Sequence, residues 1–278
     1  MIRIETLRGY FPLQIRDNSL FDKYFLKEYI QLLILDYLST TPFIRKITFI
    51  GGTSLRLVKG IDRFSEDLDF DCKKFSEDDF IEMTDGVLQF LQHNGLHVVV
   101  KDQNKDRLQA FRRSIYFPGL LFDLGLTGHR EERFLIKVES QDQSVNYKPV
   151  LVNVRGCGFF FPLPVPPDSV LCAMKVAAML DRQKGRDFYD VIFLMGQTRP
   201  DYSFLSARCG ISSLEELKLA TEKILKTVDL KKKMKDFEHL LFNKNNSKRI
   251  LNVGEFIRTL SPALPSEALV EVDALHGE

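Results

Sequence analysis

Asp67, Asp69 and Asp71 recur at a spacing of two in Asp67-Leu-Asp-Phe-Asp71, a short way after the turn Gly51-Gly52-Thr53-Ser54. On an extended chain successive side chains alternate between faces, so the carboxylates share one face while Leu68 and Phe70 enter the core. Carboxylates set so close repel one another on a sheet face unless a cation or bases compensate them. Hard ions such as Mg²⁺ take a few carboxylates and complete their shell with water and phosphate oxygens, and paired ions polarise both attacking and leaving oxygens in an in-line displacement. The chemistry indicated is phosphoryl or nucleotidyl transfer, with Asp67 and Asp69 as metal ligands and Asp71, one pleat further on, outside the metal site. Solvated acids on an edge strand are the bland alternative, and the mutual repulsion weighs against it.

A strand, a tight turn and a helix must hold this chemistry in place. Lys46 to Ile50 is a β-branched and aromatic run that predicts a strand, and Thr53 to Lys59 reads as the opening of a helix. Gly51 and Gly52 let backbone approach an anion, while Thr53 and Ser54 can cap the helix and offer hydroxyls beside its unpaired N–H groups. A triphosphate is expected there. Arg63 and Ser65, just before the aspartates, read as braces for the loop.

Gly51-Gly52 followed by Asp67-Leu68-Asp69 resembles the nucleotidyltransferase signature of the DNA polymerase β superfamily. The fuller form, Gly-Gly-Thr-Ser-Leu with Arg63-Phe-Ser-Glu-Asp-Leu-Asp69, resembles the AbiE-type (AbiEii/AbiGii) nucleotidyltransferase toxins of bacterial toxin–antitoxin pairs. A second block is similar to that family's helical motifs: Asp168-Ser-Val-Leu-Cys-Ala-Met-Lys175, then Arg182, then Arg186-Asp187-Phe-Tyr-Asp190. The resemblance spans about residues 20 to 196 and touches Lys27-Glu28. Many superfamily members carry Gly-Ser where this chain has Gly51-Gly52, so the hydroxyl on the phosphates must come from Thr53 or Ser54.

The resemblance implies an α+β fold: a polymerase β-like nucleotidyltransferase domain over residues 1–160, with a mixed sheet flanked by helices, and a C-terminal helical domain over 161–278. It implies an Mg²⁺-dependent transfer of a nucleoside monophosphate from an NTP to an acceptor hydroxyl, with RNA, at the 3′ end of tRNA, as acceptor and a separately encoded antitoxin as partner. Gly51, Gly52, Thr53, Ser54, Lys175 and Arg186 would hold the nucleotide, and Asp190 would orient or deprotonate the acceptor hydroxyl. A third carboxylate is usual beside the Asp-x-Asp strand; Glu139 and Asp123, acids among apolar residues, are the candidates, with Glu139 preferred. The innocent explanations are an ion pair of Glu139 with Lys137 on its own face, a snorkelling Lys175, and a structural Arg–Asp pair around Asp187.

Around these blocks, Leu20 to Leu38 is apolar nearly all round and predicts a buried helix. Ser76 caps a helix running to about His93, closed by Asn94-Gly95. Strand-like runs follow near 96–101, 110–117, 119–126, 133–140 and 150–154, an order that suits a mixed, partly antiparallel sheet. The prolines of Phe159-Phe-Phe-Pro-Leu-Pro-Val-Pro-Pro-Asp168 argue against helix and central strand and suggest an ordered crossover, with Asp168 capping the next helix. From about Asp201 to Glu278 the pattern predicts three or four amphipathic helices with basic runs at 231–235 and 244–249, read first as solvated faces.

The chain has 278 residues, 44% of them hydrophobic, with 23 Phe and a formal charge of +1. That length supports a substantial core, and so small a charge excludes recruitment of nucleic acid or acidic membrane by the overall field. No segment approaches the ~20 apolar residues of a membrane span, and the N-terminus lacks an apolar signal core, so the expected location is the cytoplasm. Cys72, Cys157, Cys172 and Cys209 are scattered and the histidines form no ligand motif, which argues against zinc, a disulfide framework or a Cys-His nucleophile. Two other classes share part of the pattern: a nucleotidyltransferase acting on protein or small-molecule hydroxyls, and a non-catalytic nucleotide-binding or interaction module. Both aspartates together with Lys175 weigh against the second.

Overall fold

Strand β1 (Ile47–Ile50) is buried at every position, as its β-branched and aromatic sequence demands. The structure, a computed structural model, describes residues 2–101 and 110–262. β1 pairs antiparallel with β2 (Leu68–Cys72), setting Ile50 opposite Asp69. The remaining strands of the sheet are β3 (Val99–Lys101), β4 (Phe111–Tyr116) and β5 (Leu135–Gln141), in the order β1-β2-β5-β4-β3. β2 and β5 run parallel and the other neighbours antiparallel, which makes the sheet mixed, as the sequence pattern indicated. β5 alternates strictly: Ile136, Val138 and Ser140 are buried, while Lys137 and Glu139 face the open side. This sheet is the platform for the carboxylates.

Helices α1 (Ile4–Arg8) and α2 (Leu13–Arg16) lead into α3 (Asp22–Ser39), whose Phe25, Leu26, Ile30, Leu32, Ile34, Leu35 and Leu38 are wholly buried. α4 (Gly51–Lys59) follows β1 without a linking residue, and Gly60 ends it in the left-handed conformation. α5 (Glu77–His93) begins with a reciprocal capping box between Ser76 and Asp79. A final hairpin of β6 (Val150–Gly156) and β7 (Phe159–Val165) forms its own ladder. β7 puts Phe161, Leu163 and Val165 inside and Phe160 and Pro162 outside. Prolines are tolerated because this is one strand of a two-stranded ladder, where N–H groups on the unpaired side need no acceptor. The expected crossover is therefore a strand, and it belongs to the first of two compact units, Met1–Pro166 and Pro167–Glu278.

Residues 119–126 are not a strand. Gly119, at φ +72°, starts the short helix α6 (Leu120–Asp123), and Asp123 is exposed, 3.7 Å from Arg130. Asp123 is thus removed from candidacy as the third carboxylate. A glycine in the left-handed region favours a turn, a local preference that overrode the apolar run.

The second unit is helical: α7 (Asp168–Arg182), α8 (Gly185–Met195), α9 (Tyr202–Cys209), α10 (Leu214–Leu225), α11 (Leu230–Lys235) and α12 (Val253–Thr259), with a 3₁₀ segment Lys244–Asn252. Pro167, not Asp168, occupies the cap of α7, and Asp168 is its first helical residue. Asp201, Ser213 and Asp229 each accept a backbone N–H at the heads of α9, α10 and α11. A Cβ on Gly185 would lie 2.0 Å from the Lys233 carbonyl, so glycine is required where α8 meets α11. The end of the expected helical segment, residues 263–278, lies outside the described residues.

Candidate active site

The head of α4 is where the aspartate strand touches the glycines. Gly51 has φ +82°, and a Cβ there would stand 2.1 Å from Asp69 Oδ2. A Cβ on Gly52 would lie 2.6 Å from Ser65 Oγ and 2.9 Å from Arg63 Nη2. Both glycines are therefore required sterically, and Gly51 conformationally as well. Asp69 sits at the positive end of the helix dipole, which stabilises its charge. Arg63, 1% exposed, donates through Nη1 to the Phe64 carbonyl at 2.9 Å, and Gln31 Nε2 donates to the Ser65 carbonyl at 3.2 Å. Lys27 pairs with Glu66 at 3.3 Å, so α3 braces the loop that delivers the aspartates.

Thr53 and Ser54 do not present hydroxyls to the surface. Both are fully buried; Thr53 Oγ1 donates to the Asp67 carbonyl, and Ser54 Oγ has no hydrogen-bond partner among the described residues. α4 starts at Gly51 rather than Thr53, with Ile50 in the cap position and no side-chain cap, which turns both side chains inward. What the helix head offers an anion is backbone, since the first N–H groups of any helix lack an intrahelical acceptor. Thr53 instead ties the helix to the aspartate strand.

Asp67 and Asp69 are half-buried, and the parallel register puts Glu139 opposite Asp69. Burial pushes the Asp67 carboxyl above the usual carboxylate range; Lys137, 3.8 Å away, opposes this, and the charges of Glu139 and Glu66 add to it. Lys137 thus meets Asp67 rather than Glu139. Glu139 is gripped by Arg112 of β4, with Nε 2.8 Å from Oε1 and Nη2 2.9 Å from Oε2. Among the described residues no three His, Cys, Asp or Glu side chains converge as a metal cluster. Asp67 and Asp69 are hard oxygen donors with neighbouring acidic charge, which fits Mg²⁺ held by two carboxylates, water and phosphate oxygens. Glu139, held by Arg112, does not join them as a third ligand in this arrangement.

Asp71 has a separate task. It is 1% exposed, accepts from the Gln143 backbone N–H at 2.9 Å and from the Tyr147 hydroxyl, and so ties the segment after β5 to β2. Its carboxyl is raised by burial.

In the second unit, Lys175 is 5% exposed and its Nζ lies 3.0 Å from Asp190 Oδ2, one turn along α8 from Asp187. Asp190 is wholly buried, a setting for holding the Lys175 ammonium rather than meeting a substrate hydroxyl. Asp187 is bound in fork fashion by Arg182 and caps α8 through the Lys184 N–H. Arg186 is half-buried and makes no ion pair among the described residues. Arg112 is the residue that motif reading missed, and Lys137 was paired with the wrong acid; only strand register reveals either partnership, although each is a cation at an outward position of an alternating run.

A β-strand ending on a glycine-headed helix, beside a second strand bearing acids at period two, defines a nucleotidyltransferase fold. Solved structures agree: JHP933 from Helicobacter pylori is 20% identical, with 91% of this chain and 97% of that chain covered at a TM-score of 0.54. MenT4, a nucleotidyltransferase toxin from Mycobacterium tuberculosis, is 17% identical, with 94% and 91% covered at a TM-score of 0.54. No functionally curated protein matches. The model of the nucleotidyl transferase AbiEii toxin family, of type IV toxin–antitoxin systems, matches residues 33–247. The chain belongs to that family and is a nucleotidyltransferase, as its motifs indicated, and the family implies an NTP substrate and an antitoxin partner.

Proposed function

We propose that this protein transfers a nucleoside monophosphate from an NTP to a hydroxyl of RNA, at the 3′ end of tRNA, with Mg²⁺, in the cytoplasm. The observation that carries the reading is the seating of Asp69 against Gly51 at the head of α4, with Asp67 immediately before the same strand. There an anion-binding helix end and carboxylates for a hard cation adjoin. The acceptor hydroxyl gives up its proton to water and its oxygen forms a bond to the α-phosphorus as the bond from that phosphorus to the bridging β-phosphate oxygen breaks and pyrophosphate leaves. Bound at Asp67 and Asp69, Mg²⁺ would supply Lewis acidity for both oxygens. The backbone of Gly51 and Gly52 receives phosphate oxygens, and Thr53 fixes that backbone to Asp67. On the family's pattern Lys175 and Arg186 are assigned to the nucleotide's negative charge, and the ion pair with Lys175 assigns Asp190 to holding that lysine.

Local positive charge supports an RNA acceptor despite the net +1. Gly185 meets the Lys233 carbonyl where α8, which carries Arg186 and has Lys184 in its cap position, approaches α11, which carries Lys231, Lys232 and Lys235. Basic segments of this kind suit a phosphate backbone. The test incubates the protein with Mg²⁺, total tRNA and each α-labelled NTP beside Asp69→Ala. Label on RNA from wild type, lowered at least about 100-fold in the variant with unfolding temperature preserved, is the expected result. Label on protein would replace RNA with a protein acceptor, and turnover by Asp69→Ala equal to wild type would remove the site.

A further inference from the structure

One row of residues crosses the sheet from the head of α4. Ile50 stands opposite Asp69, Asp69 opposite Glu139, and Glu139 opposite Arg112. Arg112 holds Glu139 by both oxygens, at 2.8 and 2.9 Å. A planar guanidinium in this fork geometry occupies the lone pairs that a metal ion would use.

We propose that Arg112 is a positioning residue that acts as the internal counter-cation of the third carboxylate, holding Glu139 beside Asp69 and ceding it when a divalent cation enters. The inference rests on the metal-dependent reading above. Its first support is charge balance. Asp67, Asp69, Glu139 and Glu66 crowd the open end of β2 and β5, and like charges across neighbouring strands are unfavourable without compensation. Arg112 and Lys137 supply that compensation from the protein itself.

The second support is the strength of the grip. Arg112 is 43% and Glu139 23% exposed at the side chain, so water screens the pair. An exposed pair is preferred over separation by only about 2- to 5-fold, which a dication at adjoining carboxylates can overcome. Lys175 and Asp190, at 7% and 1%, form the contrasting case of a pair too buried to exchange partners cheaply. The exposure of Arg112–Glu139 leaves the carboxylate in place yet releasable.

The test measures Mn²⁺ binding to the full chain without nucleotide, by the electron paramagnetic resonance of the free ion. Arg112→Ala is expected to tighten binding about 2- to 5-fold. Arg112→Lys keeps the charge but loses the fork, so it is expected to tighten binding by a smaller factor, separating grip from field. In a Glu139→Gln background neither substitution should matter. No tightening in either single variant, or the same tightening with Glu139→Gln, overturns the proposal. Wild type and Asp69→Ala binding Mn²⁺ alike would instead remove the metal site itself, and this inference with it. Circular dichroism of each variant confirms that folded proteins are compared.

Discussion

Gly51 shows how one residue type can serve backbone, packing and chemistry together. Its φ of +82° disfavours a side chain, and the space where Cβ would stand is taken by Asp69 Oδ2 at 2.1 Å. Gly51→Ala should therefore cost roughly 1–2 kcal/mol in the left-handed backbone alone, and more as Asp69 is displaced. A thermal melt beside the tRNA-labelling assay should show activity lost even at temperatures where the variant is fully folded. Retained activity would mean that Asp69 works from a different position. Thr53 and Ser54 teach the opposite lesson: hydroxyls beside a glycine turn look like phosphate ligands, yet the helix starts at Gly51 and carries both inward. The glycines and aspartates were legible because their type and spacing have few other uses. The hydroxyls were not, because a shift of two residues in a helix start changes which face a side chain occupies.

Among the elements, β2 does two jobs on alternate stretches. Its beginning presents Asp69 toward the helix head, and its end uses Asp71 to tie down the segment after β5. Removing the Tyr147 hydroxyl leaves a buried carboxylate short of a donor, so Tyr147→Phe should lower stability by about 1–3 kcal/mol. Urea denaturation measures this, and label transfer at a temperature well below the melt should stay near wild type. Loss of transfer in a folded Tyr147→Phe protein would bring Asp71 into the site. α5 was legible to the residue because Ser76 and Asn94 punctuate it chemically. β7 and α6 were not: prolines in β7 are permitted by its place in a two-stranded ladder, and Gly119 bends an apolar run into a helical turn. Both depend on what lies beside them.

At the scale of the whole molecule, the cysteines report on the cores of the two units. Burial pushes the Cys157 thiol up to about 12 and the Cys172 thiol likewise to about 12, from an ordinary value near 9. A raised folded value means that the folded state keeps its proton while the unfolded state loses it. Stability is thus undiminished below pH ~9 and falls as pH rises toward the folded value. Cys157→Ala with Cys172→Ala should show a shallower fall in melting temperature between pH 9 and pH 11 than wild type. Equal slopes would show that these thiols are not the groups being titrated. In the same structure no helix among the described residues is long and apolar enough to cross a membrane.

The sequence by itself determined the family, with it the class of chemistry, and the α+β order, through the glycine turn, the aspartates at period two and the helical block from Asp168 to Asp190 that carry the resemblance. These follow from local rules, since alternation on a strand, helical repeat and glycine's conformational freedom act within a few residues. Only the tertiary structure decided which cation meets which acid. Arg112 finds Glu139, Lys137 finds Asp67 and Lys175 finds Asp190 across separations that no local rule spans. Strand register and helix packing set those partnerships, and a register shift of one residue would have exchanged every one on the sheet.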